Sequence, residues 1–273
     1  MRLGRIGYVN CYPVYGAIDR GLVAVPASLV SGTPAELNDR LADGRLDVSV
    51  ISAVAYARHA ADYDLLPDLA ISSDGPVRSV LLFSRRPPAE LDGARVLVST
   101  SSRTSVELLD LLARDHWKVA LDTAPAPIEP GDLEKLAAVP HDGALVIGDA
   151  ALLLTAQRGY AHVTDLGEAW KAWTGLPFVF AVWAARRAVD RQAVRDVHRA
   201  LLASRKWGLA HLGDLAERAS AATGVVRDRC REYLGGLDYG LSYRHLAGLT
   251  DFLRRLAARG AVPDGTLSFL GAA

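Results

Sequence analysis

Short apolar runs alternate with stretches in which apolar residues recur at helical spacing over most of the chain, the signature of a parallel α/β sheet. The first half reads as a strand from Arg2 to Val9, a helix from Val14 to Gly21, a strand from Ala27 to Ser31, a helix from Pro34 to Asp43, a strand from Asp47 to Ile51 and a helix near Ser52 to His59. The second helix is signed at both ends. Thr33-Pro34-Ala35-Glu36 combines a capping box with proline at the first helical position, and Gly44 supplies the stop. Val77 to Ser84 reads as a strand, and Arg86-Pro87-Pro88 breaks the pattern as a crossing between lobes would.

A second series follows: a strand from Arg95 to Val98, a helix from Thr104 to Arg114, a strand near Val119, a strand from Ala144 to Ile147, a helix from Asp149 to Gln157, a short strand at His162 and Val163, and a helix through Ala169 to Trp173. Phe178 to Ala185 is apolar and uninterrupted, which predicts a buried strand returning to the first lobe. The remainder is mostly helical, and its last helix, His245 to Arg259, places Leu246, Leu249, Phe252, Leu253 and Leu256 on one face before Gly260. This predicts an α/β clamshell with mixed, mostly parallel sheets and a helical C-terminal segment. Lobe 1 is assigned to residues 1–86 plus 184–273 and lobe 2 to 87–183, with crossings near Ser84 to Pro88 and Ala181 to Arg187. Ligands of open α/β sheets bind beyond the strand C-termini, which places the cleft between the lobes.

Composition narrows the function classes. The 273 residues are half apolar and carry 31 basic and 31 acidic side chains, without a basic stripe, which speaks against nucleic-acid and membrane-surface partners. Cys11 and Cys230 lack metal or redox spacing and read as two unpaired thiols, although one long-range disulfide stays open. The chain enters a strand at once, without a charged-then-apolar leader, and no apolar run reaches the length of a membrane span, so a cytoplasmic location is expected. There is no H-E-x-x-H, C-x-x-C or glycine-rich phosphate loop, and neither a metal nor a cofactor is expected.

Two strand-to-helix turns carry the chemistry. GYVNCYP (Gly7 to Pro13) and VLVSTSSRTSVELL (Val96 to Leu109) put polar residues where backbone N–H groups point outward with partial positive charge. Facing one another, they would hold a small dianion without lysine or arginine.

The segments GYVNCYPVY, GTPAELNDRLADGRLDVSVISAVAYA, DGPVRSVLLFS, STSSRTSVELL, LVIGDAAL, DLGEAWKAWTGLPFVFAVW and YLGGLDYGLSYRHLAGLTDFLRRL together resemble the chorismate dehydratase family of the futalosine route to menaquinone. The resemblance spans nearly the whole chain and implies the two-lobed fold of type II periplasmic solute-binding proteins. The sister family, 1,4-dihydroxy-6-naphthoate synthase, typically opens with a Ser-Pro-Cys-Pro-Asn-Asp-like turn, whereas this chain has Val9-Asn10-Cys11-Tyr12-Pro13. The implied reaction converts chorismate to 3-[(1-carboxyvinyl)oxy]benzoate and water in a monomer or homodimer. Removing the C3 proton sends charge onto the ring carboxylate, so donors aimed at that carboxylate favour the transition state.

Ser101, Ser102, Thr104 and Ser105 are candidates for this cradle, and each also reads as a helix cap. Asn10 can hold the C4 hydroxyl or a carboxylate, and also reads as a turn residue. The resemblance brings Ser52 and Ser79 near the cleft, with Asn10 and Ser79 as catalytic candidates. Asp149 reads as an N-cap or as a ligand contact. No histidine falls in these turns, so the substrate's own side-chain carboxylate is expected to assist proton removal. Phe180 and Trp183 read as core, and Phe178 as a candidate cover for the cleft. Arg78 is expected to point away from Ser79. A solute-binding or sensor protein for a small carboxylate and the sister synthase remain alternatives.

Overall fold

A computed structural model describes residues 1–155 and 159–271. The helix end expected at Gln157 lies outside the described residues, as do the last two residues of the segment assigned to lobe 1. Lobe 1 begins with β1 (Arg2–Ile6), α1 (Tyr12–Asp19), β2 (Ser28–Gly32), α2 (Pro34–Ala42), β3 (Val48–Ser52), α3 (Ala53–Arg58) and β4 (Tyr63–Ser73). Lobe 2 holds β5 (Val80–Ser84), β6 (Arg95–Ser99), α4 (Thr104–Leu111), β7 (Asp122–Ala126), α5 (Leu133–Ala138), β8 (Gly143–Ile147), α6 (Gly148–Thr155), β9 (His162–Asp165) and α7 (Leu166–Thr174). The chain then returns through β10 (Phe178–Arg186) and finishes lobe 1 with α8 (Arg191–Ala210), α9 (Leu212–Thr223), α10 (Arg227–Gly235) and α11 (Tyr243–Ala258).

The two sheets run β2-β1-β3-β10-β4 and β7-β6-β8-β5-β9. In each, one strand is antiparallel to both neighbours: β10 between β3 and β4, and β5 between β8 and β9. These are the strands by which the chain enters each lobe, so the mixed sheets follow from the double crossing.

Strand pairing corrects the expected lobe boundaries. Val80–Ser84 belongs to the second sheet and Phe178–Arg186 to the first, so the crossings are residues 74–79 and 175–177. Arg86-Pro87-Pro88 is a turn inside lobe 2, leading to a short 3-10 helix at Pro88–Glu90. The true crossings carry the unusual backbone, with positive φ at Gly75, Arg78 and Gly175.

Two strand readings also change. β4 went unread because Asp64, Pro67 and Asp68 interrupt its apolar pattern, and Asp68 has φ 55° where the pairing with β10 shifts register. No strand forms at Val119. There α4 continues through a wide π-type turn, Leu112–Trp117, and the edge strand β7 follows at Asp122–Ala126.

The capping box on α2 is formed, with Glu36 N–H donating to Thr33 Oγ1 at 3.3 Å and Thr33 N–H to Glu36 Oε2 at 2.9 Å. Trp170, Phe178 and Phe252 make an edge-to-face cluster beneath the return crossing. Trp183 is fully buried and donates through its indole N–H to Tyr15 Oη at 3.0 Å. Both cysteines are buried free thiols. Among the described residues no helix is long and apolar enough to cross a membrane.

Candidate functional site

The interlobe cleft is built where helices begin. Asn10 lies just before α1, Ser52 caps α3, Ser102 to Ser105 open α4, and Gly148 opens α6. These starts line one crevice with about 580 Å³ of empty space, part of it open to solvent. Its polar lining is Tyr8, Asn10, Ser52, Ser79, Ser102, Thr104 and Ser105, and among the described residues no lining side chain carries a charge. Ile6, Ile71, Val77, Val80, Ile147 and Phe180 add apolar walls. An apolar slot with N–H and O–H donors from helix starts suits a flat ring bearing anionic groups.

The sequence candidates therefore converge, except for two. Ser101 donates its hydroxyl to Glu129 Oε1 and is absent from the lining. Asp149 is also absent; it sits in the first turn of α6 rather than at an N-cap, and its carboxylate accepts from Val9 N–H across the lobes at 3.1 Å. Burial raises the Asp149 pKa to about 6, against the Val9 N–H, with nearby Glu129 adding to the rise.

The remaining hydroxyls are held in defined roles. Ser52 Oγ accepts from Ala55 N–H at 3.1 Å and from Asn38 Nδ2 at 3.4 Å, while Asn38 Oδ1 accepts from Ser52 N–H at 3.1 Å. Two acceptor positions are thus filled and the Ser52 O–H is left to point elsewhere. Ser102 Oγ accepts from Ser105 N–H at 3.1 Å. Thr104 Oγ1 accepts from Val54 N–H at 3.1 Å, tying the start of α4 to the start of α3 across the cleft.

Ser79 lies at the end of the first crossing, and Tyr233 from α10 donates to its Oγ at 2.8 Å. The Tyr233 phenol is buried, which drives its pKa well above the ordinary value against smaller opposing contributions from Ser79 and Asn10. Asp165 fixes the crossing itself: its carboxylate accepts from Val77 N–H at 3.1 Å and Arg78 N–H at 2.6 Å while capping α7 through Gly167 and Glu168. Arg78 turns away from the cleft to Glu232 at 3.1 Å, as expected, from a backbone at φ 61°.

Asn10 Oδ1 is buried, with no hydrogen-bond partner among the described residues. Such an acceptor costs about 1–3 kcal/mol unless something fills it, and it lines the crevice.

Phe180 is buried in the core, as read, and also lines the cleft where β10 leaves the second crossing; Phe178 is core rather than cover. Tyr8, Asn38, Glu129 and Tyr233 were not foreseen. Each matters through a partner far away in sequence, so no local motif announces it. Among the described residues no group of three or more His, Cys, Asp or Glu is placed to hold a metal.

A family model described as menaquinone biosynthesis matches residues 1–258. The chain is 35% identical over 244 residues to chorismate dehydratase of Thermus thermophilus, covering 84% of this chain and 86% of that protein. It is 29% identical over 218 residues to 1,4-dihydroxy-6-naphtoate synthase of the same organism, covering 77% and 75%. Its fold is similar to that of the periplasmic aliphatic sulphonate binding protein of Escherichia coli, with TM-score 0.66 at 14% identity, covering 100% of this chain and 94% of that one.

Proposed function

The chain belongs to the menaquinone-biosynthesis family, and from that premise we propose that it is a chorismate dehydratase, a carbon–oxygen lyase forming 3-[(1-carboxyvinyl)oxy]benzoate and water. The observation that carries the reading is the uncharged cleft ringed by helix starts, with the unfilled Asn10 Oδ1 inside it. The sister synthase is the more distant relative.

Chorismate has one carboxylate on its ring and a second on the enolpyruvyl side chain. The Ser102, Thr104 and Ser105 turn receives the ring carboxylate, onto which charge spreads as C3 loses its proton; donors aimed there strengthen as the charge develops. Asn10 Oδ1 accepts the C4 hydroxyl proton and orients that group. Ser79 accepts from Tyr233, and its own O–H, which makes only a long 3.5 Å bond to Val77 O, can turn to the departing hydroxide.

Among the described residues no histidine or carboxylate lines the crevice, which supports the substrate's enolpyruvyl carboxylate as the proton acceptor. The C3–H bond breaks, a ring double bond forms, the C4–O bond breaks, and hydroxide leaves as water after taking a proton. Aromatisation drives the step without redox change. The free buried thiols suit a reducing cytoplasm.

Incubation with chorismate tests the reading. Loss of diene absorbance with appearance of the aromatic ether by mass is expected; tight binding without conversion would instead identify a sensor.

A further inference from the structure

Two carboxylates of lobe 2 grip one short loop of lobe 1. Tyr8 donates its hydroxyl to Glu129, at 2.9 Å to Oε1 and 3.1 Å to Oε2, and Val9 donates its N–H to Asp149. The Tyr8 ring also rests on Gly148, where a Cβ would meet Tyr8 Cδ2 at 2.8 Å and where φ is +60°. Asn10 follows directly, its Oδ1 buried and waiting for a donor. Because the loop and its holders are in different lobes, these bonds exist only when the clamshell is shut.

We propose that Glu129 and Asp149 are positioning residues for the dehydration, which form the Tyr8–Asn10 loop into its working shape on closure and so present Asn10 to the substrate. The proposal rests on the dehydratase reading. It gives Asp149 a role distinct from ligand contact: its carboxylate faces backbone of the opposite lobe, not the cleft. Ser101, bonded to Glu129, joins the same support from behind.

The test compares Asp149→Ala, Asp149→Asn and Tyr8→Phe in steady-state turnover of chorismate and in backbone amide exchange of residues 7–13. Asp149→Ala should lower kcat about 10- to 100-fold with KM changed less than about threefold, the scale of a misplaced group. Asp149→Asn keeps an oxygen for the Val9 N–H and should recover kcat to within about threefold of the wild type. Exchange should quicken in Asp149→Ala and Tyr8→Phe but not in Asp149→Asn.

Wild-type kcat in both Asp149→Ala and Tyr8→Phe would overturn the proposal. So would an Asp149→Asn variant as slow as Asp149→Ala with its loop still protected. Should Asp149→Ala fail to fold, Tyr8→Phe against Asp149→Asn carries the same contrast. Exchange needs no turnover, so a wild type inert toward chorismate but showing this exchange pattern would sink the functional reading and leave the grip supported.

Discussion

Asp149 illustrates how a residue's surroundings decide its part in the chemistry. Burial raises its pKa from 3.8 to about 6, because a carboxylate in a poorly solvated pocket holds its proton longer. A carboxyl that is tighter-binding in the folded state stabilises the fold fully below its unfolded value, and that contribution disappears as pH rises through about 6. Between pH 4 and pH 7 the wild type should therefore lose about 2 kcal/mol that Asp149→Asn keeps. Urea denaturation across that range reads the difference; parallel pH profiles for the two proteins would refute it. At the same scale, strand-to-helix turns marked Asn10, Ser102, Thr104 and Ser105, and the family resemblance marked Ser52 and Ser79; all six line the crevice, because such turns share one rim in this class of sheet. It could not disclose that Ser101 and Asp149 face away, or that Tyr233 bonds Ser79, because those facts depend on side-chain direction and on contacts between distant segments.

At the scale of elements, two helices approach the working segments so closely that only glycine fits. On α8, a Cβ at Gly208 would lie 2.1 Å from Pro13 O, at the start of α1 beside the Asn10 loop. On α11, a Cβ at Gly248 would lie 2.0 Å from Pro177 O, in the second crossing. The obstructing atoms are backbone, so the helices themselves must shift. Gly208→Ala and Gly248→Ala are each expected to cost about 1–3 kcal/mol, seen as a lowered Tm, and an unchanged Tm in both would contradict this packing. The α2 capping box and the β10 strand were legible because each is a local signal, a cap motif or an unbroken apolar run. The first crossing was misplaced because Pro87-Pro88 is a louder local break than Gly75 to Ser79, whose importance comes from which sheet accepts the next strand.

Across the whole molecule, closure and chemistry draw on the same contacts. Arg58 to Glu107 at 2.8 Å, Arg103 to Asp39, and Arg259 to Asp110 at 3.0 Å join the lobes around the cleft. Partly exposed pairs of this kind contribute little each, so the lobes can part to admit substrate. The bonds of Val9 and Tyr8 to lobe 2, and of Val54 to Thr104, also join the lobes across the cleft, so parting the lobes would break them. Because Ser79 sits on a crossing and Asn10 on a gripped loop, both are set by the hinge. The most direct test measures chorismate binding by calorimetry and product formation by mass for the wild type, Asn10→Ala and Ser79→Ala. Both variants should bind chorismate within about tenfold of the wild type yet form the aromatic ether at least about 100-fold more slowly; wild-type turnover in either would contradict the account.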